Sequence, residues 1–280
     1  MRRPQSNKDK SKTPGKSREY TKKQFSKGRP PSGPKKTKSV PSDPDLIRLN
    51  RYVANAGVCS RREADIYIEA GNVTVNGKTI TEMGHKVKLT DIVKFDGRLL
   101  NPQKKEYVLL NKPKNFITTT SDERGRRTVM ELISKASKSR LVPVGRLDKN
   151  TTGLLLFTND GDLAKKLTHP KHGIRKIYHV ELNKNLIAED LKKIQTGITL
   201  DDGPIKVDVA SYIDNSPKRE VGIEIHSGRN RIVRRIFEHL GYDVKKLDRV
   251  IFAGLTKKDL PRGHWRHLTK QEVINLGMNQ

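Results

Sequence analysis

The sequence predicts an α+β protein in which a small N-terminal module precedes a larger domain. Apolar runs typical of strands follow one another without the regular helical crossovers of a parallel α/β fold. Two short helical patterns stand ahead of most of these runs, and the 280 residues are enough for two domains. We therefore expect an arm at residues 1–45, a small module at 46–96, a linker at 97–105 and a larger domain at 106–280.

The charge of the chain indicates a nucleic-acid partner. Lys and Arg number 58 against 31 Asp and Glu, for a net charge of +27, which favours a polyanion, and nucleic acid before a membrane. No apolar run approaches the roughly 20 residues of a membrane span, and no apolar signal core is found near the N-terminus. Cys59 is the only cysteine, which excludes an internal disulfide. These features predict a cytoplasmic protein.

Residues 1–45 are expected to form a disordered basic arm. They hold 14 Lys and Arg against four Asp and Glu, and seven of the 14 prolines. Because large apolar residues are almost absent, the segment cannot bury enough surface to offset the entropy lost on ordering. The arm either makes loose, salt-sensitive RNA contacts or serves as a solubilising tail.

Residues 46–96 carry the signals of two helices followed by strands. An apolar stripe over 46–56 predicts the first helix, and a capping box at 60–63 starts the second. Residues 73–80 predict a hairpin on an Asn-Gly turn, and 91–95 a further strand. The apolar side of the second helix is assigned to Ile66, Ile68 and Ala70. Arginines on or beside these helices contact RNA phosphates or form a solvated face: Arg48, Arg51, Arg61 and Arg62.

The larger domain begins with an expected strand at 107–110 and a turn at 111–114. A polar loop at 118–127 then leads into a short helix at 129–133. Three arginines around a glycine in this loop form either a phosphate clamp or a solvated surface, and they are Arg124, Arg126 and Arg127.

Asp148 lies in a polar loop between two apolar runs, 141–144 and 154–157, that predict buried strands. Arg146 and Lys149 are close to it in sequence. A carboxylate held beside fixed cations stays ionised and costs less to desolvate, and a nucleophilic aspartate has this requirement.

The spacing around Asp148 is by itself also typical of an ordinary turn, since Asp and Asn favour turns. A calcium loop is a third interpretation, with Asn150 as its third residue. It is rejected because Asn159 stands at the twelfth position, where a bidentate Glu is needed, and because strands rather than helices flank the loop.

Beyond this loop the sequence predicts a helix at 162–167, a strand at 176–182, a helix at 187–194 and strands at 204–213 and 221–226. Tyr178 shares one strand face with two apolar residues, which is the pattern of a core tyrosine. No zinc site is predicted, because neither Cys partners nor His-Glu-x-x-His spacing accompanies His169, His172 and His179.

An arginine-rich helix is expected to begin at Arg231, with an apolar stripe formed by Ile232, Val233, Ile236, Phe237 and Leu240. Arg234 and Arg235 flank this stripe, and Arg231 lies opposite. A flanking arginine can reach into a site while its stem packs, and a basic helix face is the alternative. A strand at 247–252 and a helix at 269–276 end the domain, and Trp265 is expected to pack.

The Asp148 loop closely resembles the signature of the ribosomal RNA pseudouridine synthases, in the branch named RsuA and RluB. That signature reads Gly-Arg-Leu-Asp, a short variable segment, then Thr/Ser-x-Gly-Leu-Leu. Gly145–Asp148 and Thr152–Leu155 match it. The aspartate is the catalytic nucleophile of the family, so the resemblance implies that role for Asp148.

Further motifs extend the resemblance over roughly residues 46–270 and include the Asn-Lys-Pro turn. The run Lys176-x-Tyr178-x-Val180 matches a second motif, whose tyrosine packs in the active site. A third motif, Gly-Arg/Lys-Asn-Arg-x-x-Arg-Arg, implies that Arg234 pairs with the catalytic aspartate. RNA contact is expected from the remaining residues in these motifs, Arg146, Asn150, Arg229, Arg231 and Arg235.

The N-terminal module is similar to an RNA-binding module first known from a ribosomal small-subunit protein, through residues 56–64 and 71–77. For the larger domain, the resemblance implies a pseudouridine synthase catalytic domain with a mixed, largely antiparallel sheet. It also implies isomerisation of a ribosomal RNA uridine without a cofactor or metal. The loop at 121–127 favours RNA of the large subunit.

The expected partner is ribosomal RNA, free or within pre-ribosomal particles, and the enzyme is expected to be a monomer without membrane contact. Two alternatives stay open at this point. One is a non-catalytic RNA-binding ribosome assembly factor, and the other is a synthase that acts on small-subunit ribosomal RNA.

Overall fold

The computed structural model describes residues 45–278. The predicted basic arm, apart from Asp45, lies outside the described residues. None of the helices in the described range combines the length and apolar composition of a membrane span.

The N-terminal module consists of β1 Leu46–Arg48, α1 Leu49–Asn55, α2 Arg61–Glu69, β2 Val73–Val75, β3 Lys78–Thr79, β4 Lys86–Lys88, β5 Val93–Phe95 and β6 Arg98–Leu99. Strands β3, β2, β5 and β6 form an antiparallel sheet in that order, and β1 pairs with β4. Val53 of α1 and Ile68 of α2 are buried in one apolar core with Val73 and Val93 of the sheet. The module therefore has a small core of its own.

Short-range signals account for the main turns of this module. The predicted capping box is confirmed, because the Glu63 N–H donates to the Ser60 hydroxyl and the Ser60 N–H donates to the Glu63 carboxylate. The predicted hairpin is confirmed as well. Asn76 and Gly77 join β2 to β3 with φ angles of 49° and 83°, as a two-residue Asn-Gly turn requires.

Three details of the module differ from the prediction. Leu46–Arg48 is a strand rather than a helical turn, because its backbone pairs with β4. Ile66 is 64% exposed, since residues two positions apart on a helix differ by about 200° and cannot share a face with Ile68. Arg98–Leu99, which the prediction placed in the linker, pairs with β5 and extends the module.

The larger domain consists of β7 Tyr107–Lys112, α3 Val129–Leu132, β8 Val142–Pro143, β9 Thr152–Thr158, α4 Gly161–Thr168, β10 Lys176–Leu182, α5 Ala188–Thr196, β11 Ile198–Leu200, β12 Gly203–Ile205, β13 Val209–Tyr212, β14 Glu220–Ile225, α6 Ile232–His239, β15 Val244–Phe252, β16 Leu255–Thr256, β17 Trp265–His267 and α7 Lys270–Met278. Its main sheet has the order β13-β14-β10-β15-β9-β7-β17, with β16 beside β15 and β8 beside β9.

Strands β9 and β15 run parallel, and the other pairings in this sheet are antiparallel. The expected α+β fold with a mixed, largely antiparallel sheet is therefore confirmed. Strand β9 is buried on both faces: Leu154 and Leu156 pack with α4 and α7, whereas Leu155 and Phe157 pack with α3. Burial on both faces explains why its apolar run is continuous rather than alternating.

Helix α6 packs against β10, β14 and β15 through the predicted apolar stripe, of which Ile236 and Phe237 are almost fully buried. This packing brings the start of α6 close to the β8–β9 loop.

One expectation at the start of the larger domain is wrong, and one near its end is incomplete. Asn111 and Lys112 belong to β7 rather than to a turn, because Lys112 pairs with Gly153 of β9 and its charged end is satisfied by protein carbonyls. Trp265 packs against the core near β7, as expected, but it does so as the first residue of the unpredicted strand β17.

Candidate active site

Asp148 lies in the loop between β8 and β9, at a cavity of about 220 Å³. Its side chain is 38% exposed, so the carboxylate can be reached from outside. Tyr178 and Arg229 line the same cavity, together with apolar side chains such as Val233 and Phe252. A concave wall that is partly apolar and carries a few placed polar groups is typical of a ligand site.

The Asp148 loop is anchored by Lys112, a fully buried lysine at the end of β7. The three N–H groups of its ammonium are shared among four carbonyl oxygens within hydrogen-bond distance, those of Pro113, Asp148, Lys149 and Thr151, at 3.1, 3.0, 3.3 and 2.8 Å from Nζ. Burial lowers the pKa of this ammonium to about 8, against the opposite effect of the Asp148 charge. One side chain thus fixes the backbone at Asp148 and in the residues directly after it.

Two further residues set where the loop begins and ends. The Thr118 hydroxyl donates to the Leu147 carbonyl at 2.8 Å and accepts from the Leu147 N–H at 3.2 Å. Gly153 is so close to β15 that an added Cβ would lie 2.2 Å from the Arg249 carbonyl oxygen. Its φ of +103° also favours glycine. The motif glycine therefore permits the parallel contact between β9 and β15.

Two arginines at the start of α6 face Asp148. Arg231 Nη1 and Arg234 Nε lie 3.6 and 3.9 Å from the same carboxylate oxygen, Oδ2. Arg234 is 8% exposed, and its Nη1 donates to the Val244 carbonyl at 2.9 Å. Burial, followed by the charge of Arg231, lowers the pKa of the Arg234 guanidinium, whereas Asp148 acts in the opposite direction. The two cations thus place positive charge on one side of the carboxylate.

The position of Arg231 differs from the prediction, which put it on the helix face opposite Arg234. Arg231 precedes the helix and has a φ of 47°, in the left-handed region. Helical periodicity therefore does not govern its side chain, which contacts Asp148 and also pairs with Glu238 at 3.0 Å.

The cations closest to Asp148 in sequence do not pair with it. Arg146 and Lys149 are exposed, and within the described chain neither forms an ion pair with Asp148. The expected cationic surroundings of the carboxylate are present, but they come from α6 and β7.

A second cavity, of about 440 Å³, shares Asp148, Arg146 and Arg231 with the first. Arg126 lines it and donates from Nε to Asp122 at 3.1 Å. Hydrogen bonds from Arg126 lower the pKa of the Asp122 carboxyl to about 2. The arginine loop and the Asp148 loop therefore border one continuous region of surface.

The other residues expected to contact RNA lie outside both cavities. Arg127 covers the Phe116 ring, with its guanidinium carbon 4.1 Å from the ring centroid. The remaining members of this set are exposed to solvent: Arg48, Arg61, Arg62, Arg124 and Asn150.

Three further arginines of the RNA-binding prediction also have carboxylate partners. Arg51 pairs with Asp162 at the start of α4 and so connects the N-terminal module to the larger domain. Arg235 pairs with Asp201 and Asp202, and Arg229 lies 3.4 Å from Asp202. Arg51 and Arg235 are thus accounted for by contacts within the protein, which the sequence did not predict.

Three charged residues near Asp148 received no separate role from the sequence: Lys112, Lys176 and Arg249. Each of them is a charged residue next to or inside an apolar strand run, and this feature could have identified them from the sequence. A charge in such a position is buried only when the fold supplies partners for it.

Within residues 45–278, no group of three or more His, Cys, Asp or Glu is arranged to hold a metal ion. The rings of His169 and His172 contact each other edge to face, with centroids 5.9 Å apart. His179 Nε2 lies 2.8 Å from a Glu220 oxygen. The three histidines therefore do not converge on one point.

The chain is similar to known protein families and to individual proteins along most of its length. A family model for RNA pseudouridylate synthase matches residues 106–239, and a model for the S4 domain matches residues 47–93. The chain is 41% identical over 234 residues to the ribosomal large subunit pseudouridine synthase B of Bacillus subtilis (strain 168), which covers 82% of the chain and 96% of that protein.

Two other proteins extend the comparison. The dual-specificity RNA pseudouridine synthase RluF of Escherichia coli (strain K12) is 38% identical over 237 residues, which is 82% of the chain and 78% of that protein. A crystal structure of a pseudouridylate synthase has a TM-score of 0.58 and 29% identity, over 82% of the chain and 99% of that structure.

Proposed function

The chain belongs to the RNA pseudouridylate synthase family, and we propose that it isomerises a uridine of ribosomal RNA with Asp148 as the nucleophile. The observation that carries the role of Asp148 is its setting. Its carboxylate borders a cavity, faces Arg231 and Arg234, and sits on a loop anchored by Lys112. A charged nucleophile needs both a fixed position and fixed compensating charge.

The cavity is suited to a single flipped nucleotide. A base inside structured RNA must leave its stack before a side chain can reach the sugar or the ring. Tyr178 would pack on the base, and Arg234 would hold the Asp148 carboxylate in place. The reaction exchanges one bond between base and sugar for another, so it needs neither a redox partner nor a phosphate donor.

Ribosomal RNA of the large subunit is the proposed substrate. The name of the Bacillus subtilis relative refers to the large ribosomal subunit, and the S4 module adds exposed arginines for phosphate contacts. We infer that the enzyme acts in the cytoplasm as a monomer, on free ribosomal RNA or on pre-ribosomal particles.

The proposal is tested by mapping pseudouridines in ribosomal RNA from a strain that lacks this gene. The strain is complemented with the unchanged protein, with Asp148→Asn, or with Asp214→Asn as an exposed control far along the chain. We expect one or a few pseudouridines to disappear, and to return with the unchanged protein and the control only. Full restoration by Asp148→Asn would show that Asp148 is not the nucleophile.

The same map separates the alternatives. A loss confined to small-subunit RNA would overturn the proposed substrate. An unchanged map, combined with altered subunit assembly, would instead favour a non-catalytic assembly factor.

A further inference from the structure

Two cations on the strands β10 and β15 line the cavity beside Asp148. Arg249 lies on β15 and is 3% exposed. Lys176 lies on the neighbouring strand β10 and is partly buried. Neither residue forms an ion pair with Asp148 in the described chain. Pairing with the nucleophile therefore does not explain why these two cations line the cavity.

The Arg249 guanidinium is held in place but incompletely satisfied. Its Nε donates to the Leu154 carbonyl at 2.8 Å, and its central carbon lies 4.4 Å from the centroid of the Phe252 ring. Its Nη2 is buried and has no hydrogen-bond partner within residues 45–278. Buried donors are satisfied in the great majority of cases, so this unpaired donor calls for a partner, such as a bound ligand or a water molecule.

Lys176 is a second cation on the same wall. Its Nζ donates to the carbonyls of His226 and Ser227, at 2.8 and 3.4 Å. Burial, followed by the charge of Arg249, lowers the pKa of this ammonium to about 8, and Asp208 acts in the opposite direction. Two cations that repel each other, one buried and one partly buried, favour the binding of a polar or negative group in the cavity that both line.

We propose that Arg249 and Lys176 bind the carbonyl oxygens of the uracil ring and hold the negative charge that the base carries during the reaction. This inference rests on the proposed function and adds the groups that recognise the base. The nucleotide's phosphates would instead meet the exposed arginines at the rim, Arg146 and Arg229.

The chemistry requires such a site on the base. If Asp148 bonds to C1′, the C1′–N1 bond breaks and its electron pair remains on uracil, which becomes an anion with charge on N1, O2 and O4. When C5 bonds to C1′, the Asp148 carboxylate leaves, C5 then loses its proton and N1 gains one. If Asp148 instead adds to C6, the electron pair moves onto the ring and O4 again carries negative charge. Fixed donors in a buried site stabilise such developing charge strongly.

The test replaces single oxygen atoms of the base. Short RNAs carrying the target uridine found by mapping are prepared with 2-thiouridine or 4-thiouridine at that position, because sulfur is the weaker hydrogen-bond acceptor. Single-turnover rates are measured for the unchanged enzyme, Arg249→Met and Lys176→Met. Each protein variant is measured with each RNA, which gives a cycle of one change in the protein and one in the base. Comparing the combined effect with the two separate effects removes the intrinsic effect of sulfur on the rate.

We expect the sulfur effect to differ by about tenfold or more between the unchanged enzyme and the variant that lacks the contact, the size of a hydrogen bond to a charged group. Arg175→Met is the matched control, because Arg175 precedes Lys176, pairs with Glu224 and lies outside the cavity. It should show the sulfur effect of the unchanged enzyme. Circular dichroism checks that each variant is folded.

Equal sulfur effects in the unchanged enzyme and in both Met variants would overturn the proposal. If the variants do not fold, the unchanged enzyme decides alone: identical rates for the uridine and both thiouridine RNAs would mean that neither oxygen is contacted. Absence of any pseudouridine from the unmodified RNA would count against the proposed function itself, and so is distinguishable from failure of this inference.

Discussion

Replacing Lys112 with Met tests whether this lysine holds the catalytic loop. Met has a similar length but no donor, so the change removes the hydrogen bonds that the ammonium shares among four backbone carbonyls. The Asp148 carbonyl would keep a bond from the Thr151 N–H, and the Lys149 carbonyl one from the Asn115 N–H. The Pro113 and Thr151 carbonyls would lose the contact that Lys112 provides.

The magnitude follows from these two carbonyls. A buried polar group left without a partner costs about 1–3 kcal/mol. The Thr151 carbonyl is buried, whereas Pro113 is partly exposed, so its carbonyl can bind water and costs less. Removing a buried charge returns part of this, because the ammonium no longer has to be desolvated. We expect Lys112→Met to lower the free energy of unfolding by about 2 kcal/mol and to slow the reaction, since the Asp148 backbone is less firmly fixed.

Urea unfolding and single-turnover kinetics below the unfolding transition measure the two effects separately. Lys114→Met, two residues further along and exposed, is the matched control and should change neither. A stability loss for Lys112→Met no larger than that of the control would refute the reasoning.

Lys112 also predicts a pH dependence. Its pKa of about 8 in the folded protein is below the ordinary value of 10.5, so between these values the unfolded chain binds more protons. Stability should therefore rise as the pH increases from about 8 towards 10.5. The rise should be smaller in Lys112→Met, because the Lys112 ammonium no longer titrates. It should not vanish, because Lys176 also has a lowered pKa. An unchanged rise would contradict the lowered pKa of Lys112.

Three further predictions concern the site and the arm. Arg234→Ala should lower the saturating single-turnover rate on the order of 100-fold with little loss of RNA affinity. Arg231→Ala should lower both the rate and the RNA affinity. An unchanged saturating rate for Arg234→Ala would mean that Arg234 is a phosphate contact. Gly153→Ala should destabilise the fold by about 3 kcal/mol through backbone overlap and a left-handed φ, and a loss in urea midpoint no larger than that of Gly161→Ala, which has open space, would argue against this. Residues 1–45 have a net charge of +10, from 14 basic minus four acidic residues. Removing them should reduce the slope of log binding constant against log salt concentration by roughly 0.7 to 0.9 per lost phosphate contact. An identical slope would indicate that the arm is a solubilising tail.

The sequence by itself determined several local elements of the described chain and the identity of the loop that carries Asp148. The capping box at Ser60, the Asn76-Gly77 hairpin and the stripe of α6 involve residues a few positions apart. Their hydrogen bonds and periodicity depend on neighbours in sequence, so short patterns predict them well. The motif around Asp148 likewise identified the family before any geometry was known.

Only the tertiary structure decided which side chains surround Asp148. Lys112 reaches Thr151 across 39 residues, and Arg249 reaches Leu154 across 95. Arg231 approaches the carboxylate because a left-handed backbone removes it from the helical pattern. Contacts of this kind depend on strand order and packing, which bring distant segments together. The sequence around a charged strand residue does not indicate which distant residue will become its partner.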